Sequence, residues 1–312
     1  MEKINFRQYR DLGALFNASA RFFKQHFKHF FKCILFIAGP FILLTSITGA
    51  SYQSNMLSMS TLMKGGKDAL MNLFSPNYFI FIITALISHL LLIGTVYEYI
   101  VLYMEKGPNA FDVGDVGRAL RKDLGKIISI FLTIILYVLL SIIFLALIGY
   151  GLASASKILV VLIALFAIVG LLLVFPQLGF IFTASYLAGI KERINAFSAI
   201  GRTWNLMKGY FWWTWLIMFC AYLTYIVLSF AFTLPQIVLT IITTFTNIKG
   251  GNSSSYSNAL MIVSSIATFC STLLYSVFYI IAAFHYFSLA EKKEGTGLLE
   301  RIDEIGKKEN DI

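Results

Sequence analysis

Six long runs of apolar residues dominate the hydrophobic pattern of the chain. They cover approximately residues 33–51, 78–104, 127–150, 157–188, 211–245 and 258–290. A helix rises about 1.5 Å per residue, so about 20 apolar residues are enough to cross the hydrocarbon core of a bilayer. The backbone finds no water to bond there, and the runs are too long and too continuous for barrel strands. The pattern therefore predicts an all-α integral membrane protein with six transmembrane helices.

The composition favours the same class. Of the 312 residues, 58% are hydrophobic and 13% are charged, with a mean hydropathy of +0.77, whereas soluble domains carry about 25% charged residues. The three cysteines, Cys33, Cys220 and Cys270, lie in or beside apolar runs without metal-ligand spacing. We therefore expect a single membrane domain over residues 1–290 and a charged tail over residues 291–312, with no cofactor or metal site.

The distribution of basic residues predicts the orientation in the membrane. The N-terminal segment, the second–third and fourth–fifth connections and the tail hold 21 of the 25 Lys and Arg residues. Lys and Arg near span ends stay in the cytoplasm, so this alternation predicts a multi-pass protein of the bacterial cytoplasmic membrane with both termini in the cytoplasm. The net charge of +9 is then explained by orientation and anionic lipid, and no nucleic-acid partner is expected.

Three segments that precede the odd-numbered runs share an amphipathic pattern. Each has apolar residues at three- and four-residue steps with Lys or Arg on the other face, as in a helix lying among lipid headgroups. The face opposite the basic residues consists of Leu12, Phe16, Ser19, Phe23, Phe27 and Phe30 in the first segment, Val113, Val116, Leu120, Leu124 and Ile127 in the second, and Ile194, Phe197, Trp204 and Phe211 in the third. A gapless alignment of the first and third pairs Ala18 with Ala199 and Arg21 with Arg202. We predict three repeats, each an interfacial helix followed by a two-span hairpin.

The basic stripes of these segments are candidate lipid or phosphate sites. A guanidinium fork suits phosphate oxygens, so three arginines at matching positions would line a headgroup site if the repeats pack around a common axis. The alternative is that the stripes only anchor and orient the chain. The candidate ligands are Arg21, Arg118, Arg202, Lys24 and Lys28.

The segment INAFSAIGRTWNLMKGYFWWTWLIMF resembles a stretch of the membrane domain attached to some bacterial glycerophosphodiester phosphodiesterases, and of its stand-alone six-span relatives. The positions that match are Ala199, Arg202, Trp204, Leu206, Gly209, Phe211 and Trp212. The opening YRDLGALFNASARFFKQHFKHFFKCILFIAGP resembles the first unit of that family, so the resemblance covers residues 5–290. It implies a six-span domain. It does not imply phosphodiesterase chemistry, because the catalytic barrel of the family is a separate soluble domain.

Several polar residues inside the runs are candidates for an intramembrane site. These are His89, Glu98, Gln177 and Gln236, and such residues in a span mark function by default. The alternatives are that Glu98 reaches the inner headgroups, that His89 bonds a neighbouring hydroxyl, and that each glutamine satisfies carbonyls freed by the proline before it. The prolines Pro40, Pro176 and Pro235 are expected to kink their helices, with the fifth span ending by about Phe232. The predicted interfacial anchors are Trp204, Trp212, Trp213 and Trp215.

No nucleotide-binding loop, metalloprotease motif or nucleophile elbow occurs in the sequence. We therefore expect a non-enzymatic membrane protein that organises lipids, anionic ones included, or partner membrane proteins at the cytoplasmic face. The alternative is a transporter for a lipid-like or small amphiphilic substrate, with a cavity near His89, Glu98, Gln177 and Gln236. That alternative requires these four side chains to line one pocket.

Overall fold

The computed structural model describes residues 4–56, 75–108, 110–151, 157–248 and 254–295. Within these ranges the chain forms eight helices and no strand. The helices are α1 (Leu12–Ile37), α2 (Gly39–Met56), α3 (Pro76–Lys106), α4 (Val113–Gly151), α5 (Lys157–Lys191), α6 (Ala196–Met207), α7 (Phe211–Ile248) and α8 (Ser254–Glu294). The predicted tail is described only as far as residue 295, and its remainder lies outside the described residues.

Five of these helices are long and apolar enough to cross a membrane, and a sixth crossing is counted if the pair α1–α2 forms one span. The five segments are Pro76–Lys106, Val113–Ser141, Leu173–Lys191, Phe211–Thr246 and Asn258–Glu294. Each overlaps one of the predicted apolar runs. The prediction of an all-helical protein with several apolar spans is thus confirmed.

The first predicted run is bent, as expected from its proline. The axes of α1 and α2 differ by 63°, and the break falls at Ala38, two residues before Pro40. Pro40 has no N–H group, so it cannot bond back to the preceding turn. The helices α5 and α7, in contrast, continue through Pro176 and Pro235 as single elements. The helix that contains the predicted fifth span therefore continues past Phe232 to Ile248, and the point at which that span ends stays a prediction.

The buried core lies at one end of the bundle, which we call the basic end. It comprises α1, α6, residues 113–130 of α4, and the last turns of α3, α5 and α8. Every residue of 92–103, 183–190 and 278–290 is buried, and these three helix ends pack against one another. A helix stretch that is buried on all sides must be covered by other helices. Around the three ends, α1 packs against α8 and α3, α4 against α3 and α5, and α6 against α5 and α8.

The three covering helices begin with the same capping interaction. A side-chain oxygen of Asp11, Asp112 or Asn195 accepts from the backbone N–H three residues later, at 2.7, 2.7 and 2.9 Å, which satisfies an otherwise unpaired donor of the first turn. In each helix the residues four and eight positions after the cap are buried: Leu15 and Ser19, Val116 and Leu120, and Ala199 and Thr203. The caps align α1 with α6 at a sequence separation of 184 residues. This is three residues more than the separation of 181 that pairs Arg21 with Arg202 in the sequence alignment.

Candidate functional site

One side of α1 packs into the basic end, while the other side is exposed. Its packed residues are Leu15, Ser19, Phe22, His26, Phe30, Cys33 and Ile34. The sequence pattern predicted one apolar face that includes Phe23, Phe27 and Phe30. Of these, Phe30 is buried in the basic end whereas Phe27 is 44% exposed. His26 is 3% exposed and lies against the Tyr103 ring, with 4.9 Å between centroids.

An aromatic stripe and a lysine stripe lie next to each other on α1, beside its packed side. Phe27 is exposed, whereas Phe23 and Phe31 are partly buried against the core. The Phe27 ring lies edge-on to that of Phe23 at 5.3 Å and is tilted against that of Phe31 at 4.7 Å. Lys24, Lys28 and Lys32, all exposed, follow these rings by one residue each. We call this surface the aromatic–basic face; it consists of Phe23, Lys24, Phe27, Lys28, Phe31 and Lys32. Arg21 is also exposed and lies three residues before Lys24, at helical spacing with the lysine stripe.

The two other candidate arginines lie beside carboxylates. Arg118 has a side chain that is 78% exposed and donates to Asp115 at 2.6 Å. The Arg202 guanidinium lies between Glu192, at 3.0 Å from Nε, and Glu294, at 2.7 Å from Nη2. Hydrogen bonding to Glu294, joined by Glu192, raises the pKa of Arg202. Arg202 therefore links the ends of α5 and α8 to α6, and its donors already face carboxylates.

His89 and Gln236 lie apart and have unrelated partners. His89 is exposed on α3, where its Nδ1 lies 3.0 Å from the carbonyl oxygen of Ala85 in the same helix. Its ring faces that of Tyr275 at 6.1 Å. The Gln236 amide on α7 donates to the side-chain oxygen of Gln53 on α2 at 3.1 Å. Gln236 thus joins two helices instead of bonding the backbone freed by Pro235.

Gln177 and Glu98 are both buried, again at separate places. The Gln177 amide donates to the carbonyl of Phe211, at the start of α7, at 3.2 Å. Glu98 is 3% exposed and lies near the Asp123 carboxyl group of α4. Asp123 accepts from Lys126 at 2.8 Å. Glu98 is thus covered by neighbouring helices, and the four predicted polar residues each have a different partner or neighbour.

Asp123 and Lys126 were not singled out from the sequence, although a signal for Asp123 exists. Asp123 lies eleven residues after the cap of α4, and the residues at that position of α1 and α6 are Phe22 and Leu206. Both of these are at most 1% exposed. An acid thus occupies a position that is apolar and buried in the other two helices.

The predicted tryptophan anchors cluster around the turn between α6 and α7. Trp204 and Trp212 are 52% and 66% exposed, while Trp213 and Trp215 are half-buried. The Trp215 ring stacks on Phe219 at 4.9 Å. Large exposed indoles at a helix start are typical of a membrane interface, and their anchoring role stays a prediction.

The segment before α1 is packed into the basic end, which charge counting did not anticipate. Phe6 is 1% exposed and stacks on Phe284 of α8 at 4.2 Å, while the Ile4 N–H donates to the Tyr103 hydroxyl at 2.8 Å. Arg10 is 8% exposed, and its guanidinium donates to three backbone carbonyls of its own segment. Burial lowers the pKa of Arg10. Arg10, one of the basic residues used to predict the membrane orientation, therefore donates hydrogen bonds that hold this segment together.

Over the ranges that the structure describes, no three His, Cys, Asp or Glu side chains are grouped so that they could hold a metal ion. The resemblance to the membrane domain of glycerophosphodiester phosphodiesterases stays a prediction. No protein-family model, curated protein or solved structure matches this chain.

Proposed function

We propose that this chain is a six-span protein of the bacterial cytoplasmic membrane that binds anionic lipid headgroups at its cytoplasmic face. In this proposal it organises lipids or partner proteins there and catalyses no reaction. The basic end lies in the cytoplasmic leaflet and at its surface, with both termini on that side. The surplus of Lys and Arg in the segments around the basic end supports this orientation.

We also propose that the fold consists of three repeats, each with one covering helix and two spans. The shared caps and the shared burial of the fourth and eighth positions after them support equivalence of α1, α4 and α6. So does the packing, because each covering helix lies between a different pair of the three central helix ends. In this arrangement α2 and α7 continue outward from α1 and α6, as the second half of α4 continues from its first.

The aromatic–basic face of α1 is the observation that carries the proposed function. With α2 crossing the bilayer, the 63° bend sets α1 closer to the membrane plane than to its normal. The Phe23, Phe27 and Phe31 rings then reach the acyl boundary, while the three lysines extend to phosphate groups. Each basic residue near an anionic surface contributes about 1 kcal/mol. Arg202 is not part of this site, since its donors bond carboxylates.

We do not propose the transport alternative. It required His89, Glu98, Gln177 and Gln236 to line one cavity, and each of these residues has its own separate partner or neighbour. The pairing of Gln236 with Gln53 joins α7 to α2 and involves none of the other three side chains.

Lipid retention by the full-length protein tests the proposal. Protein exchanged into micelles with equal phosphatidylglycerol and phosphatidylcholine should retain phosphatidylglycerol preferentially, as counted by mass spectrometry. Replacing Lys24, Lys28 and Lys32 together by Gln should reduce this preference by about fivefold per lysine, from about 1 kcal/mol each. The matched Arg variant at the same positions should retain it. Retention of the two lipids in the ratio supplied would contradict the proposal.

A further inference from the structure

Glu98 is a buried acid that faces a neighbouring helix. It lies on α3 with 3% of its surface exposed, and its Oε1 has no hydrogen-bond partner among the described residues. An ionised carboxylate in an apolar span is costly unless it is paired. The surroundings of Glu98 must therefore either supply a counter-charge or keep the group neutral.

Close packing directs Glu98 towards α4. Gly94, one turn before it, has no side chain, and a Cβ there would lie 2.5 Å from the Cδ1 of Leu120 and 2.9 Å from that of Ile127. The absence of a Cβ thus lets α3 approach α4 closely. Asp123 lies between Leu120 and Ile127 on the facing side of α4.

The charges around Glu98 do not balance when all groups are ionised. Asp123 lies on the side of α4 that approaches α3 closely, near Glu98, and pairs with Lys126 at 2.8 Å. Two carboxylates and one ammonium leave a net charge of −1, and Glu105 on α3 adds a further negative charge nearby. Glu105 is itself paired with Lys191 at 3.3 Å. One additional proton makes the trio of Glu98, Asp123 and Lys126 neutral.

We propose that Glu98 and Asp123 form a proton-binding site in which one proton bridges the two carboxyl groups and holds α3 against α4. The Asp123 side chain is 16% exposed, so it gives the proton a route to water at the basic end. Loss of the proton leaves two adjacent carboxylates that repel each other and weakens the contact between the helices. The burial of apolar residues at the matching positions of α1 and α6, Phe22 and Leu206, argues that the acid of α4 has a role beyond solvation. This inference is independent of lipid binding by α1.

The full-length protein in nanodiscs of neutral lipid tests this site. At a pH above the ordinary titration range of carboxyl groups, the folded protein still holds this proton and the unfolded protein does not. The thermal midpoint should therefore fall as the pH rises between about 5 and 9. Glu98→Gln, which copies the shape of the protonated acid, should keep the high midpoint and lose this pH dependence. Asp123→Asn should lose it too. Glu105→Gln removes a nearby negative charge but leaves both acids of the site, so it should keep the pH dependence and move it to lower pH.

Infrared spectroscopy of the wild-type protein gives a second readout that does not require a variant to fold. The carbonyl band of a protonated carboxyl group should be present at low pH and disappear over the same pH range as the midpoint falls. A wild-type protein without the band, or Glu98→Gln with the wild-type pH dependence, would overturn the proposal. So would a transition whose pH moves when sodium replaces potassium, because the site would then bind a metal cation.

Discussion

The two halves of the central helices differ in the environment that they are built for. In α8 every residue of 278–290 is buried, whereas Ile262 and Ile266, further from the basic end, are 59% and 57% exposed. The same contrast occurs in α3, where 92–103 is buried and Phe79 and Ile83 are 54% and 57% exposed. One continuous apolar helix thus serves first as a surface for lipid and then as part of a protein core. Hydropathy does not separate these environments, because acyl chains and a packed core are equally apolar.

The largest expected effect comes from emptying the buried half of α8. Phe284 is fully buried and stacks on Phe6, so Phe284→Ala should lower the free energy of unfolding by about 3–5 kcal/mol through lost contacts and a cavity. The matched control is Ile266→Ala on the exposed half, which should cost less than about 1 kcal/mol because lipid fills the space. Denaturant titration in nanodiscs measures both. Equal costs would show that the two halves are packed alike.

A smaller effect is expected where a side chain is added to the close contact between α3 and α4. Gly94→Ala places a Cβ against Leu120 and Ile127 and should cost about 1–3 kcal/mol through overpacking. Gly125→Ala on α4 meets nothing within 4 Å, so it should be neutral or stabilise the helix by up to about 1 kcal/mol. The difference between the two thermal midpoints checks this contrast. A stabilising Gly94→Ala would contradict the close approach on which the proton site depends.

The smallest effect separates the two paired arginines of the basic end. Arg202→Gln leaves Glu192 and Glu294 without their shared cation and should cost about 1–2 kcal/mol, since the side chain is 26% exposed and partly screened. Arg118→Gln should cost less than Arg202→Gln, because its side chain is 78% exposed and solvent screens its pair with Asp115.

The double variant Arg202→Gln, Glu294→Gln should recover part of the loss at Arg202, since it removes an unpaired carboxylate. If Arg118→Gln is as costly as Arg202→Gln in the same thermal-unfolding measurement, the link between α5, α6 and α8 is not important for stability.

The sequence predicted features that depend on neighbouring residues in the chain. Apolar runs located the five helices that are long and apolar enough to cross a membrane and the bent pair α1–α2, because length and hydropathy are local properties. Pro40 indicated the bend at Ala38 for the same reason. In α1, the step pattern identified an amphipathic helix but not the residues that other helices cover, since Phe27 and Phe22 are equally apolar and only the fold decides which one is buried.

Partners far away in the chain were beyond the reach of this pattern. Arg202 is bonded to Glu294, 92 residues later, so its assignment as a phosphate ligand could not take that carboxylate into account. Glu98 was identified as unusual in a span, but its neighbour Asp123 on α4 was not singled out. Comparing the buried positions after the caps of α1, α4 and α6 would have revealed Asp123.

The packing of residues 4–10 against α3 and α8 has a consequence for biosynthesis. Arg10 donates its backbone N–H to the Ser288 hydroxyl, 278 residues later, and Phe6 stacks on Phe284. The ribosome makes these early residues long before α8 exists, so they wait without their partners while the other spans are inserted. When α8 forms, it supplies the Ser288 hydroxyl and the Phe284 ring that complete the packing of residues 4–10. A chain stalled before Phe284 therefore leaves Phe6 without its stacking partner.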